Sequence, residues 1–169
     1  MSPKGALPFD PVAEARRQWE GHGWADAAPG MAAVTSITRV QQVLQHRVDA
    51  VLHTFDLTFA RFEVLQLLAF SRKGELPLGR MSVRLQVHPA SVTSAVDRLQ
   101  RQGFVARMPH PTDGRTTLAH ITAGGRRVAE QATARLNDEV FADLGLSDRE
   151  LDQLFELLRK IRQAAGDFA

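Results

Sequence analysis

Apolar residues recur at helical spacing through most of this chain, and the breaks fall at proline, glycine and short polar residues. Asp10-Pro11 predicts a helix start, with Asp10 as cap and proline in the first turn. Val12, Ala15 and Trp19 follow at helical spacing, and Gly21 and Gly23 stop the run. Asp26 to Gly30 predicts a connector of small residues. A long amphipathic helix is predicted from Met31 to His53. Its stripe is Val34, Ile37, Val40, Val43 or Leu44, Val48, Val51 and Leu52. Asp56-Leu57-Thr58 reads as a turn and cap. The helix it opens, over 59–72, carries Phe62, Leu65, Leu68 and Ala69 inward, and Gly74 ends it.

Leu76-Pro77-Leu78 is short and extended, and a brief helix over 79–85 places Met81, Ser82 and Leu85 on one side. Gln86-Val87-His88 is a tight connection. A residue before proline avoids the helical region, so His88 fits a cap and Pro89 the first helical position. The helix from Pro89 to Gln102 has Val92, Ala95 or Val96, and Leu99 as its inner stripe, and Gly103 stops it. Residues 104–108 and 117–121 read as strands, with a loop of Pro, Asp and Gly between them, which predicts a hairpin. Thr122 caps a helix over 123–144 whose first turn Gly124 and Gly125 weaken. Ser147 with Glu150 forms a capping box for the last helix, with Leu151, Leu154, Phe155, Leu158 and Ile161 expected inward. There is no internal repeat and no low-complexity tract.

The helix that starts at Pro89 raises the functional question. Away from its apolar stripe it carries Ser91, Ser94, Arg98 and Arg101. Two short helices, a tight turn and a hairpin describe a winged helix-turn-helix, which sets its second helix into the DNA major groove. That groove, about 12 Å wide, admits one helix. A helix entering it needs short side chains so the backbone can approach, hydroxyls for phosphates and base edges, and long cations for guanine or phosphate. Pro89, Ala90, Ser91, Thr93, Ser94, Arg98 and Arg101 are therefore the candidate DNA contacts. Free amides at the helix start suit a phosphate. At the hairpin tip Arg115 is the candidate for the minor groove. Asp113 is expected to orient Arg115 or cap the turn, and Asp97 to hold the wing or the helix by a salt bridge.

Charge sharpens this picture. The chain of 169 residues has a net charge of only +2, yet Arg72 to Arg127 holds ten Arg and Lys against three acids. A basic middle between acidic flanks fits a polyanion-binding module. Hydrophobic residues at 44% are enough for a core. The absence of cysteine removes disulfides, a thiol nucleophile and thiolate metal sites. No apolar run reaches the ~18 residues of a membrane span, and a cytoplasmic protein is expected. The six histidines show no zinc spacing, so neither metal nor cofactor is expected.

Residues 57 to 122 resemble the MarR-type (multiple antibiotic resistance regulator) family. The matching stretches are LTFARFEVLQLL, MSVRLQVHPASVTSAVDRLQRQGFVARMPHPTDGRTTLAHIT, and the Asp-x-Arg wing at Asp113 and Arg115. The resemblance implies a homodimeric regulator that binds double-stranded DNA, usually a repressor released by a small ligand, with its dimer interface on the first long helix and the last two helices. Two departures stand out: the wing lacks the extra basic residues many members carry, and Gly124 stands where Glu is common. The added N-terminal helix resembles a subgroup in which a tryptophan and an acidic residue help sense urate or related compounds. Trp19 and Glu63 occupy the corresponding places, Glu63 where Asp is expected.

The organisation expected is therefore mainly α with a small β-hairpin. Residues 1–30 form an arm with a short helix, 31–56 a dimerisation helix, 57–122 the winged helix-turn-helix, and 123–169 the C-terminal dimerisation helices. Trp19, Trp24, Phe55, Phe59, Arg61, Phe62 and Glu63 are the candidates to line a pocket for a small aromatic or anionic effector, against the alternative that such aromatics are simply core. An enzyme is disfavoured, since no nucleophile motif, phosphate loop or metal motif is present. The rival is a winged-helix protein-interaction adaptor without sequence-specific DNA binding.

Overall fold

The computed structural model describes residues 7–113 and 116–168. The chain divides into two compact units, Met1–Ala50 and Val51–Ala169.

The first unit holds α1 (Pro11–Gly21) and most of α2 (Ala28–His53). Asp10 caps α1 by accepting from the Val12 amide at 2.8 Å. α2 begins at Ala28 rather than Met31, so the predicted connector is shorter. Pro29 sits in the first turn, where a missing amide costs nothing. Val34, Ile37, Val40 and Val43 lie exposed along this helix, while Val51 and Leu52 at its end are buried.

The second unit runs α3 (Phe59–Phe70), β1 (Glu75–Pro77), α4 (Leu78–Leu85), α5 (Pro89–Arg101), β2 (Val105–Pro109), β3 (Thr117–Ile121), α6 (Ala123–Leu136) and α7 (Asp148–Ala164). A single turn of π-helix, Asn137–Phe141, follows α6. The sheet has three strands in the order β1-β3-β2, all antiparallel. The segment read as merely extended thus pairs as β1, with Leu76 opposite Ala119.

Thr58 caps α3, and Asp56 enters the turn before it at φ 52°. α3 ends at Phe70, earlier than predicted, because Ser71 already turns out of the helix with its amide on the Leu68 carbonyl. Phe62, Leu65 and Leu68 are buried as expected. Val64 joins them, whereas Ala69 is only half-buried. The core also takes Met81 of α4 and Val92, Ala95, Val96 and Leu99 of α5.

The start of α6 is joined to the end of α5. The Phe104 amide donates to the Leu99 carbonyl at 2.9 Å, and the Thr122 amide to the Phe104 carbonyl at 3.0 Å. The Thr122 hydroxyl donates to the Gly103 carbonyl at 2.8 Å and accepts from the Gly125 amide at 3.0 Å. A Cβ on Gly125 would fall 2.1 Å from the Phe104 carbonyl oxygen. The glycine that weakens the helix on paper is the one that lets it approach the backbone.

α7 corrects a sequence expectation. Its capping box forms, with the Glu150 carboxylate accepting from the Ser147 amide at 2.8 Å. Yet none of its residues is buried. Leu154, Phe155 and Ile161, expected inward, are exposed together with Leu157, and Leu151 and Leu158 are half-covered. The stripe is real, but among the described residues Leu154, Phe155, Leu157 and Ile161 stay exposed.

Candidate nucleic-acid interface

α4 and α5 meet in a three-residue turn. Gln86 adopts the left-handed conformation at φ 54°, and the Val87 amide donates back to the Ser82 carbonyl at 3.1 Å. His88 caps α5 through Nδ1, which accepts from the Ala90 amide at 3.2 Å. Pro89 takes the first helical position. Four buried residues fix the inner face of α5, so the opposite face must point outward.

That outer face lines an open groove of about 790 Å³ between α5 and the start of α3. Ala90, Ser91, Ser94, Arg98 and Arg101 line it from α5, and Asp56, Thr58 and Arg61 from the other wall. Three arginines against one carboxylate make the groove cationic. The four polar residues of α5 fall at spacings of three, four and three, which keeps them on one helical face. Of the predicted contacts, Thr93 is exposed but lies on the flank and Pro89 at the helix start, outside the groove lining.

A small polar network joins the two walls of the groove. Gln102 donates to the Asp56 carbonyl at 2.8 Å and carboxylate at 2.9 Å, and accepts from Arg61 at 3.0 Å. Arg61 thus stands in this groove's wall. Asp56, Thr58 and Gln102 were not among the sequence candidates. Asp56 and Gln102 lie 46 positions apart, and no local pattern connects them.

On the other flank, Arg107 of β2 meets Asp97 of α5 at 2.7 Å. Its guanidinium also donates to the Thr93 carbonyl at 3.5 Å. This is the expected salt bridge, and it ties α5 to the hairpin. At the tip, Asp113 accepts from the Thr116 hydroxyl at 2.6 Å, and its carbonyl accepts the Thr116 amide at 3.0 Å. Asp113 therefore closes the turn. Arg115 lies outside the described residues.

The effector candidates fall in both units. Trp19 and Trp24 pair in the first unit. In the second, Phe62 belongs to the core, its ring 6.3 Å from that of Phe59, and Arg135 lies over Phe55 at 6.0 Å. Glu63 is half-buried, and burial pushes its carboxyl up from the ordinary value. No group of three or more metal-ligating side chains occurs among the described residues.

A capped helix with a short-residue cationic face, held between a helix-turn and a hairpin, defines a DNA-binding winged helix-turn-helix. The MarR family model matches residues 57–117. Among similar proteins, the MarR protein of Escherichia coli is 30% identical over 74% of this chain and 87% of its own length. A solved structure of a MarR family transcriptional regulator from Streptomyces coelicolor, Sco5413, is 51% identical, covers 83% of this chain and 97% of that chain, and superposes with a TM-score of 0.75. A mutant of E. coli MarR complexed with operator DNA gives 28% identity and a TM-score of 0.69 over 75% of this chain and 91% of that one. The chain belongs to the MarR family of DNA-binding transcriptional regulators.

Proposed function

We propose that this chain works as a homodimeric repressor in the cytoplasm. It reads a pseudo-palindrome with α5 in the major groove and the wing, including Arg115, in the minor groove. A small molecule then releases it. The observation that carries the reading is the groove face of α5, where Ser91, Ser94, Arg98 and Arg101 stand together. Ser91, Ser94 and Arg98 are assigned to bases and phosphates, and Arg101 with Arg61 to the phosphate backbone. A neutral adaptor surface has no need of three arginines in one groove. The exposed stripes of α2 and α7 support a second copy as their cover, and two-fold pairing sets the recognition helices about 34–36 Å apart. No catalytic turnover is assigned to the chain.

The test is selection from random duplexes by the purified protein, repeated over a range of salt. A palindrome bound with nanomolar affinity and a steep salt dependence is expected. Arg98→Ala should then cost about 1–3 kcal/mol and relax preference at one base pair. Weak, shallow, sequence-blind binding refutes the reading.

A further inference from the structure

The end of the first unit forms a corner of two indole rings. α1 stops at Gly21, and Gly23 at φ +85° reverses the chain. The Trp24 amide then donates to the Trp19 carbonyl at 3.0 Å. This turn sets the two rings edge to face, with centroids 5.2 Å apart and planes at 68°. His22 stacks on Trp24 at 5.9 Å, its Nδ1 held 2.6 Å from the Gln18 carbonyl. Facing a carbonyl, that nitrogen carries the proton.

An open depression of about 410 Å³ lies against the rings, lined by Trp19, Gly23, Trp24, Asp26 and Ala27. The lining is almost wholly apolar, and Asp26 is the one charged residue in it. Asp26 makes no hydrogen bond or ion pair within the described residues. The cations of α1 are engaged with their own helix, Arg16 with Glu20 at 3.0 Å and Arg17 with Glu14.

These features select a ligand by charge. Indole faces are electronegative and attract a cation. A carboxylate beside them adds to that attraction, and no lining cation answers an anion. A neutral apolar ligand would fill the space but gain nothing from the exposed carboxylate of Asp26. The volume is near the lower end for small-molecule sites. We propose that this corner binds a small organic cation of the quaternary or tertiary ammonium class, with the indole faces of Trp19 and Trp24 on the cation and Asp26 as counter-ion. Its use as an effector site rests on the ligand-release reading above, but the binding itself does not.

The chain has two tryptophans and no tyrosine, so its indole fluorescence reports on this corner alone. The full chain is titrated at constant ionic strength with choline, with its neutral isostere 3,3-dimethylbutanol, and with benzoate. Choline should give a saturable change, with the isostere about tenfold weaker, as expected for a cation–π contact assisted by a charge. Asp26→Asn should weaken choline several-fold and leave the isostere unchanged, with an unaltered melting temperature as the folding control. Equal affinity for choline and the isostere, tighter binding of benzoate, or no saturation by about 10 mM choline overturns the proposal. Saturable choline binding that leaves operator affinity unchanged upholds the cation site and removes it from effector release.

Discussion

Gly124 and Gly125 are neighbours of the same type in the first turn of α6, and the structure gives them opposite responses to alanine. A Cβ on Gly125 meets the Phe104 carbonyl oxygen at 2.1 Å, so the backbone must open by about 1.3 Å to restore ordinary contact at 3.4 Å. Overpacking of this kind costs about 1–3 kcal/mol. Alanine's helical preference over glycine returns about 0.5–1 kcal/mol, leaving Gly125→Ala destabilised by about 1–2 kcal/mol. In a chain of this size that lowers the melting temperature by about 2–8 °C. A Cβ on Gly124 finds only Thr122 Oγ1 at 3.6 Å and the Gly103 carbonyl at 3.9 Å. Gly124→Ala keeps the propensity gain and should melt about 1–4 °C higher. Thermal unfolding followed by circular dichroism, at equal protein concentration for all three proteins, reads both numbers. Shifts of the same sign, or a Gly125→Ala protein as stable as the parent, would refute the packing argument.

Three further outcomes follow from the geometry. Asp97→Asn should weaken operator binding several-fold, and a double-mutant cycle with Arg107→Gln should return a coupling of about 0.5–1 kcal/mol for this partly exposed pair; additive effects would mean the bridge does not position the helix. Burial holds the Glu63 carboxyl above its usual range, so the folded state binds its proton more tightly than the unfolded chain does. Glu63→Gln should therefore raise the melting temperature at neutral pH, and the gain should close as pH falls through the raised value and the parent's own carboxyl becomes neutral. Ile161→Glu on the exposed stripe of α7 should convert the dimer to monomer by light scattering, and a dimer of undiminished affinity would move the interface elsewhere.

Local signals carried most of the fold. The caps at Asp10, Thr58, His88, Thr122 and Ser147, each followed by helical periodicity, fixed where five helices begin. Signals that depend on distant partners were not legible. β1 is too short to announce a strand, and it becomes one only because β3 offers its free edge. The stripe of α7 reads as inward in any single-chain analysis, since periodicity records that a face is apolar and says nothing of which molecule covers it. The same limit applies to the groove. Its α5 wall was visible in the spacing of serines and arginines, but the opposite wall is set by contacts between Asp56, Arg61 and Gln102, which only the folded chain brings together. Arg61 is an effector candidate on sequence, and the fold adds that it also lines this groove.

The joint between α5 and α6 has a mechanical consequence. Thr122 and Gly125 clamp the root of α6 onto Gly103 and Phe104, directly after the recognition helix ends. A clamp that close leaves no slack, so the two helices behave as arms of one bent crank. At 13 and 14 residues, the arms are each about 20 Å long, which is a lever without gearing. A tilt of about 10° imposed at the far end of α6 swings the far end of α5 by about 3 Å. Two such cranks facing each other across a dimer double the error in the span they must match. Small displacements at the subunit boundary, with no rearrangement inside the lobe, are enough to put both helices out of step with the turn of the duplex.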